Sequence, residues 1–120
     1  MKPRILFILT PDREGFCDKI MRNAIPQIGV ASLIAYLKQF NIESSVLDTS
    51  FDFGNRFNNI KKSVMDFKPD IIGVTLYSRL VDLGRLVIQD IKAITDVPIV
   101  VGGPHVCSTK AEIFNESPVD

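Results

Sequence analysis

Short apolar runs recur four times along this chain, and a segment with a different hydrophobic period follows each one. Most of the runs are rich in β-branched residues, as expected of strands buried on both faces of a parallel sheet. They lie at Arg4–Leu9, Ile42–Leu47, Ile71–Leu76 and Ile99–Val101. The segments between them carry apolar residues three and four positions apart, which predicts helices. The first helix extends from Pro26 to about Gln39, and the second, capped by Asn55 or a nearby residue, ends at Phe67. Asp82 precedes the third, which ends at about Ile94, and Ser108 or Thr109 caps the last, from Lys110 to Glu116.

The alternation predicts an α/β fold with a parallel sheet, helices on both faces and right-handed crossovers. The best fit is a flavodoxin-like, or Rossmann-like, open sheet in the order 2-1-3-4, with a fifth strand missing or truncated. Ser117-Pro118-Val119-Asp120 resembles the Lys68-Pro69-Asp70 that leads into strand three. We therefore expect residues 1–120 to form a single domain, the N-terminal piece of a longer protein. The unpaired edge of strand four could also pair with a second copy.

The charge balance and the cysteines narrow the range of functions. Fourteen Lys and Arg residues balance fourteen Asp and Glu residues, so no basic field would recruit nucleic acid. Cys17 and Cys107 are far apart and form no CxxC pair, which favours a reducing cytoplasm over a disulfide framework or a zinc site. No segment approaches the ~20 apolar residues of a membrane span. GxGxxG and a P-loop lysine are absent, which argues against dinucleotide and nucleoside-triphosphate sites.

Three unusual loops follow strands one, three and four, at residues 10–15, 75–80 and 102–105. In an open parallel sheet, ligands bind beyond the carboxyl ends of the strands, at the point where the strand order reverses. In the order 2-1-3-4 these loops meet at one such edge. The pair Gly102-Gly103 would let a flat ligand approach the main chain without meeting Cβ atoms.

Several residues of these loops have both a functional and a structural interpretation. His105, the only histidine, is either a ligand contact or a loop imidazole bonded to a carbonyl. Ser78 is either a ligand-facing hydroxyl or a helix cap. Tyr77 either packs on the sheet or faces a ligand. The two glycines could be needed for turn geometry alone.

Taken in order, four fragments of the chain resemble the N-terminal cobalamin (B12)-binding domain of B12-dependent radical S-adenosylmethionine enzymes. The fragments are Pro26-x-x-Gly29-x-x-x-Leu33-x-x-Tyr36-Leu37, Val46-Leu47-Asp48, Phe67-x-Pro69-Asp70-Ile71-Ile72-Gly73-Val74-Thr75 and Val97-Pro98-Ile99-Val100-Val101-Gly102-Gly103-Pro104-His105. The resemblance implies a module that holds cobalamin at the carboxyl edge of the sheet. S-adenosylmethionine and a 4Fe-4S cluster would belong to a following radical domain, typically that of a methyltransferase, and these residues alone would not be catalytic.

The resemblance also implies roles for particular residues. Ser78-x-Leu80 looks like the SxL element that lines the pocket for the nucleotide tail, and Gly102-Gly103 look like the glycines that let the tail pass. The predicted cofactor-binding residues are Pro11, Thr75, Tyr77, Ser78, Leu80, Gly102, Gly103, Pro104 and His105. No catalytic residue and no metal ligand is assigned.

One departure from related cobalamin domains concerns the cobalt. Domains like that of methionine synthase carry Asp-x-His-x-x-Gly after strand one, and that histidine binds cobalt. Here Asp12, Glu14 and Cys17 stand at the corresponding spacing, so the resemblance predicts His-off cobalamin. The alternative functions are a flavodoxin-like nucleotide-binding domain and a protein-interaction domain without cobalamin.

Overall fold

The computed structural model describes residues 2–10, 28–49, 52–77, 81–103, 106–107, 112 and 118–120. Its strands are β1 (Ile5–Leu9), β2 (Ser44–Asp48), β3 (Ile71–Thr75) and β4 (Ile99–Gly102), and its helices are α1 (Ile28–Lys38), α2 (Arg56–Phe67) and α3 (Val81–Ile94). The strands form one sheet in the order β2-β1-β3-β4. Every pairing is parallel. The predicted order and strand direction are therefore confirmed.

One face of the sheet, which we call the α2/α3 face, carries the larger core. Because side chains alternate along a strand, every second residue of each run points to this face. Leu6, Ile72 and Ile99 are fully buried there, together with Val87 and Ile91 of α3. A fully buried aliphatic side chain contributes about 1.5–3 kcal/mol, so this face supplies most of the driving force for folding.

The opposite face, which we call the α1 face, is less completely covered. Phe7 and Leu9 of β1 pack there against Val30 of α1, with Ile34 and Leu37 at the margin. The register pairs Phe7 with Val46 on one side and with Gly73 on the other, and it pairs Gly73 with Val100. Val46 is 44% exposed and Val100 is 56% exposed. In the part of the chain that the structure describes, the two outer strands are thus half open on this face.

The helices differ from the sequence prediction mainly at their ends. The side chain of Asn55 does not cap α2. Its amide donates instead to the carboxylate of Asp52, and a short 3₁₀ turn, Phe53–Asn55, leads into the helix. Asp82 lies in the first turn of α3 rather than before it. Its carboxylate accepts from Arg85 one turn later, which favours the helical position.

Two further boundaries were predicted wrongly or lie partly outside the described residues. β2 begins at Ser44, two residues later than predicted. The Ile42 N–H instead donates to Leu37 O, in the last turn of α1. Val106 and Cys107 are already helical, so a helix starts before the predicted caps at Ser108 or Thr109. Most of the predicted helix from Lys110 to Glu116 is outside the described residues. No helix in the described ranges is long and apolar enough to cross a bilayer.

The ion pair of Arg56 and Asp90 joins the two helices of the α2/α3 face. The Arg56 Nε lies 2.9 Å from the Asp90 Oδ2, and both side chains are mostly buried. The same guanidinium lies 4.5 Å from the centre of the Phe53 ring. Arginine suits this position because its planar group can pair with a carboxylate and stack on a ring at once.

The first turn of α3 lies very close to the end of β3, and Gly84 makes this possible. A Cβ at Gly84 would lie 2.5 Å from Leu76 Cδ2 and 3.9 Å from Thr10 Cγ2. Leu76 is fully buried, so its methyl group has no open space to move into. The absence of a side chain at Gly84 therefore sets the distance between α3 and the sheet.

We expect Gly84→Ala to lower the free energy of unfolding by up to about 2 kcal/mol, because overpacking costs about 1–3 kcal/mol and the gain in helix propensity offsets about 1 kcal/mol of it. Gly29→Ala is the matched control, since Gly29 is also helical but a Cβ placed there would meet no atom within 4 Å. That variant should be neutral or slightly stabilised. Urea denaturation measures both, and equal stability of the two variants would contradict the close approach.

Candidate functional site

Hydrogen bonds connect the carboxyl ends of all four strands. The Thr49 hydroxyl donates to Leu9 O at 2.7 Å, and the Thr10 hydroxyl donates to Thr75 O at 2.6 Å. The Leu76 N–H donates to Gly102 O at 2.9 Å. Both threonines are 1% exposed, so these bonds are shielded from water. The carboxyl ends of the four strands are thereby fixed relative to one another, as a binding site built on a rigid scaffold requires.

We call the described residues at this end of the sheet the carboxyl edge. They are Leu9, Thr10, Asp48, Thr49, Thr75, Leu76, Tyr77, Gly102 and Gly103. The register places Asp48, Leu9, Thr75 and Gly102 in one row on the α1 face. Thr75 and Tyr77 are each half-buried. This row is where a ligand entering from the carboxyl edge would meet the α1 face.

The β4 end of this row is open because Gly102 has no side chain. A Cβ built on Gly102 would meet no atom within 4 Å. Its neighbour on the same face, Val100, is also largely exposed. Gly102 therefore leaves main chain uncovered beside the half-buried Thr75, which suits a bulky ligand that lies flat on the strand ends.

Gly103 has a different role from its neighbour. Its φ is +100°, a conformation that side-chain-bearing residues rarely adopt. A Cβ there would lie 2.8 Å from Leu76 O and 3.1 Å from Leu76 N. Its own carbonyl accepts from the Cys107 N–H at 3.2 Å, which starts the following helical turn. The geometry of the chain thus accounts for Gly103 without any ligand.

The structure brings together four of the nine predicted site residues. Thr75 is the last residue of β3, and Tyr77 follows two residues later. Gly102 is the last residue of the neighbouring β4, and Gly103 follows it. The other five, Pro11, Ser78, Leu80, Pro104 and His105, lie outside the described residues. These five residues fall in three segments, which directly follow Thr10, Tyr77 and Gly103 of the carboxyl edge.

Sequence reasoning missed the residues that hold this edge in shape. Thr10 and Thr49 each come directly after a strand, and that position alone could have suggested a hydroxyl that bonds the neighbouring strand. Gly73 and Gly84 give no such signal. A Cβ at Gly73 would lie 2.9 Å from the Phe7 ring, a contact between two strands that only the register reveals.

The carboxyl edge carries little charge. Asp48 is its one charged side chain among the residues just named. Nowhere in the described ranges do three or more His, Cys, Asp or Glu side chains group closely enough to hold a metal ion. Backbone amides, a threonine hydroxyl and a tyrosine side chain are suited to binding and orientation.

A groove of about 460 Å³ lies along the edge strand β2 and against α2, away from the carboxyl edge. It is lined by Ser45, Leu47, Asn59, Lys62, Ser63, Asp66 and Phe67. None of these residues belongs to the carboxyl edge, and the groove contains both charge signs. It does not extend the candidate site.

Comparison with known proteins gives one family and one curated relative. Residues 21–120 match the family model described as "B12 binding domain". An uncharacterized methyltransferase of Pyrococcus horikoshii is 26% identical over 119 residues, which cover 98% of this chain and 26% of that protein. This chain therefore spans about a quarter of the length of that relative.

Two solved structures of TsrM, a radical S-adenosylmethionine methyltransferase from Kitasatospora setae, have the same fold. One, with cobalamin and a 4Fe-4S cluster bound, gives a TM-score of 0.81 at 19% identity and covers 97% of this chain and 21% of that chain. The other, with tryptophan and a SAM analogue bound, gives 0.71 at 20% identity and covers 85% and 19%. The predicted flavodoxin-like architecture is confirmed.

We expect the adjacent glycines of the carboxyl edge to respond differently to alanine. Gly103→Ala should lower the free energy of unfolding by about 1–3 kcal/mol, because the new Cβ meets Leu76 main chain at a strained φ. Gly102→Ala should stay within about 1 kcal/mol of the unmodified chain, since no atom opposes its Cβ. Urea denaturation of the two variants checks this, and a larger loss for Gly102→Ala would contradict the difference.

Proposed function

The chain belongs to the B12-binding domain family, and we propose that it is the cobalamin-holding module of a radical S-adenosylmethionine methyltransferase. The observation that carries the proposal is the open position at Gly102, next to the half-buried Thr75 and at the end of a rigid sheet edge. A corrin with its nucleotide tail is large, mostly apolar and rich in amide groups. It needs uncovered main chain and small side chains more than it needs charge.

The role that we propose for each residue in cofactor binding depends on its position at the carboxyl edge. Gly102 leaves room for the cofactor against β4, and Thr75 offers a hydroxyl from β3. Tyr77, Ser78 and Leu80 would line the tail from the loop after β3, and Pro104 and His105 from the loop after β4. Pro11 would line it from the loop after β1. When bound, cobalamin supplies a cobalt–carbon bond for group-transfer chemistry, and these residues orient it and exclude water.

The rest of the machinery would lie outside these 120 residues. The chain covers about a quarter of the Pyrococcus horikoshii relative and about a fifth of TsrM. We propose that it is the N-terminal domain of a longer cytoplasmic polypeptide, whose radical domain binds S-adenosylmethionine and a 4Fe-4S cluster. On this proposal, the 120-residue chain alone binds cofactor without turning over substrate.

We expect hydroxocobalamin to bind this chain and Gly102→Val to weaken the binding at least tenfold, because two methyl groups would occupy the open position. Met65→Ala is the control, since Met65 is exposed near the end of α2 that leads into β3, at the opposite end of the sheet, and this variant should bind as the unmodified chain does. The shift of the visible cobalamin spectrum during titration gives the dissociation constants.

Two outcomes would contradict the proposal of a cobalamin module. In one, hydroxocobalamin fails to bind a folded chain. In the other, FMN or a nucleotide binds and hydroxocobalamin does not compete, which favours the flavodoxin-like alternative. If Gly102→Val and the unmodified chain bind hydroxocobalamin with equal affinity, the chain is still a cobalamin module, but Gly102 is not a contact of the cofactor.

We also propose that no histidine binds the cobalt, because Asp12, Glu14 and Cys17 occupy the motif after β1 and the chain has a single histidine, His105. The electron paramagnetic resonance spectrum of the chain loaded with cob(II)alamin tests this. A nitrogen bound axially to Co(II) splits each cobalt line into three, and we expect no such splitting. A splitting that disappears in His105→Ala would identify His105 as the ligand. One that persists would show that the cofactor's own base stays on cobalt.

A further inference from the structure

One peptide group at the carboxyl edge, between Thr75 and Leu76, is hydrogen-bonded on both sides. Its C=O accepts from the Thr10 hydroxyl at 2.6 Å, and its N–H donates to Gly102 O at 2.9 Å. A trans peptide group is planar with its C=O and N–H pointing in opposite directions, so the two bonds extend to opposite sides of β3. Thr10, directly after β1, is thereby linked through β3 to the last residue of β4.

The Thr10 hydroxyl donates at the point where β1 and β3 stop pairing. The last paired residues of these two strands are Ile8 and Val74. The Thr75 carbonyl faces β1, one residue beyond that pair, because the N–H of the same peptide group faces β4. β3 lies beside β1 although β2 follows β1 in the chain, so the strand order reverses here. In open parallel sheets this is the place where ligands bind.

Burial on two sides fixes the orientation of the Thr10 side chain. Thr10 is 1% exposed. Its hydroxyl lies against Thr75, and its Cγ2 lies 3.9 Å from the place that a Cβ on Gly84 of α3 would take. A β-branched side chain has few χ1 rotamers, so a methyl group placed toward α3 holds the hydroxyl toward β3. The side chain is too deeply buried to present a surface to a large ligand.

Thr49 makes a bond of the same kind on the other side of β1. Its hydroxyl donates to Leu9 O at 2.7 Å, and Thr49 is also 1% exposed. That bond ties β2 to β1, and neither strand contributes a predicted cofactor contact. Of the two buried hydroxyls, the one on Thr10 is therefore the one bonded to a residue that we place against the cofactor.

We propose that Thr10 is a positioning residue for cobalamin, whose hydroxyl sets the Thr75–Leu76 peptide group and, through it, the carbonyl of Gly102. This proposal rests on the proposed function of the domain. It adds a residue that acts on the cofactor only through its neighbours, Thr75 and Gly102. The distance between these two contacts is then set before the cofactor arrives.

The energetic reason is the cost of ordering a site during binding. Hydrogen bonds arranged in a chain polarise one another, so removal of the first bond weakens the second. Without the Thr10 hydroxyl, the Thr75–Leu76 peptide group would lose one of its two fixed partners and could rotate. The cofactor would then have to order Thr75 and Gly102 as it binds, which lowers its affinity.

The test replaces the hydroxyl while it keeps the shape of the side chain. We expect Thr10→Val to raise the dissociation constant of hydroxocobalamin at least tenfold, as measured by the visible spectrum during titration. Thr10→Ser retains the hydroxyl and should stay within threefold of the unmodified chain. A role in packing alone predicts the reverse order, because valine keeps the methyl group toward α3 and serine lacks it.

A second measurement follows the hydrogen-bond chain without any cofactor. In the NMR spectrum of the unloaded chain, the Leu76 amide proton reports the bond to Gly102 O. We expect its resonance to move upfield in Thr10→Val, because the weakened bond deshields the proton less. It should stay near its original position in Thr10→Ser.

Two further variants separate positioning from general loss of stability. Ile91 is fully buried in the last turn of α3, away from the carboxyl edge. Ile91→Val should lower the urea midpoint and leave the dissociation constant unchanged. Thr49→Val removes the comparable hydrogen bond beside β2 and should weaken binding less than threefold.

Three outcomes would overturn the role of Thr10 while leaving the cobalamin module intact. They are unchanged affinity of Thr10→Val, a loss in Thr49→Val or Ile91→Val as large as that in Thr10→Val, and a Leu76 resonance that does not respond to Thr10→Val. Failure of the unmodified, folded chain to bind hydroxocobalamin is a different result, because it would reject the proposed function and this role together.

Discussion

The packing around Leu76 is the contact on which the carboxyl edge depends. The Leu76 side chain fills the space left by Gly84 on α3, and its main chain lies against Gly103 after β4. Its N–H also closes the bond to Gly102. One residue thus fixes a helix, a strand and a loop at the same point. The Leu76 side chain at Gly84 and the Leu76 main chain at Gly103 leave no room for a Cβ, which is why both positions carry glycine.

The two faces of the sheet are covered to different extents. The α2/α3 face is filled with buried aliphatic side chains and tied by the ion pair of Arg56 and Asp90. The α1 face is covered at β1 and half open at Val46 and Val100. A domain of this size can stabilise itself from one well-packed face, which leaves the ends of the other face available for a large cofactor.

The sequence pattern allowed correct prediction of the strand order, the parallel pairing and the positions of Thr75 and Gly102 at one edge. These follow from hydrophobic periodicity and from the rules for crossover connections. The pattern could not distinguish the role of Gly102 from that of Gly103, because the sequence does not show which atoms lie next to each glycine. It also missed Thr10 and Thr49, whose partners are distant in sequence, and Gly84, whose contact with Leu76 depends on how α3 packs on the sheet.

Local sequence therefore determined which segments form strands and helices and which strand ends meet at the carboxyl edge, because hydrophobic period and turn chemistry act within a few residues. The sequence also shows that the residues leading to Asp120 resemble those leading to Asp70. Tertiary structure alone decided that one glycine is required by φ and by Leu76 while its neighbour is open. Such roles depend on atoms brought close by folding, and their distances are not encoded in any single stretch of chain.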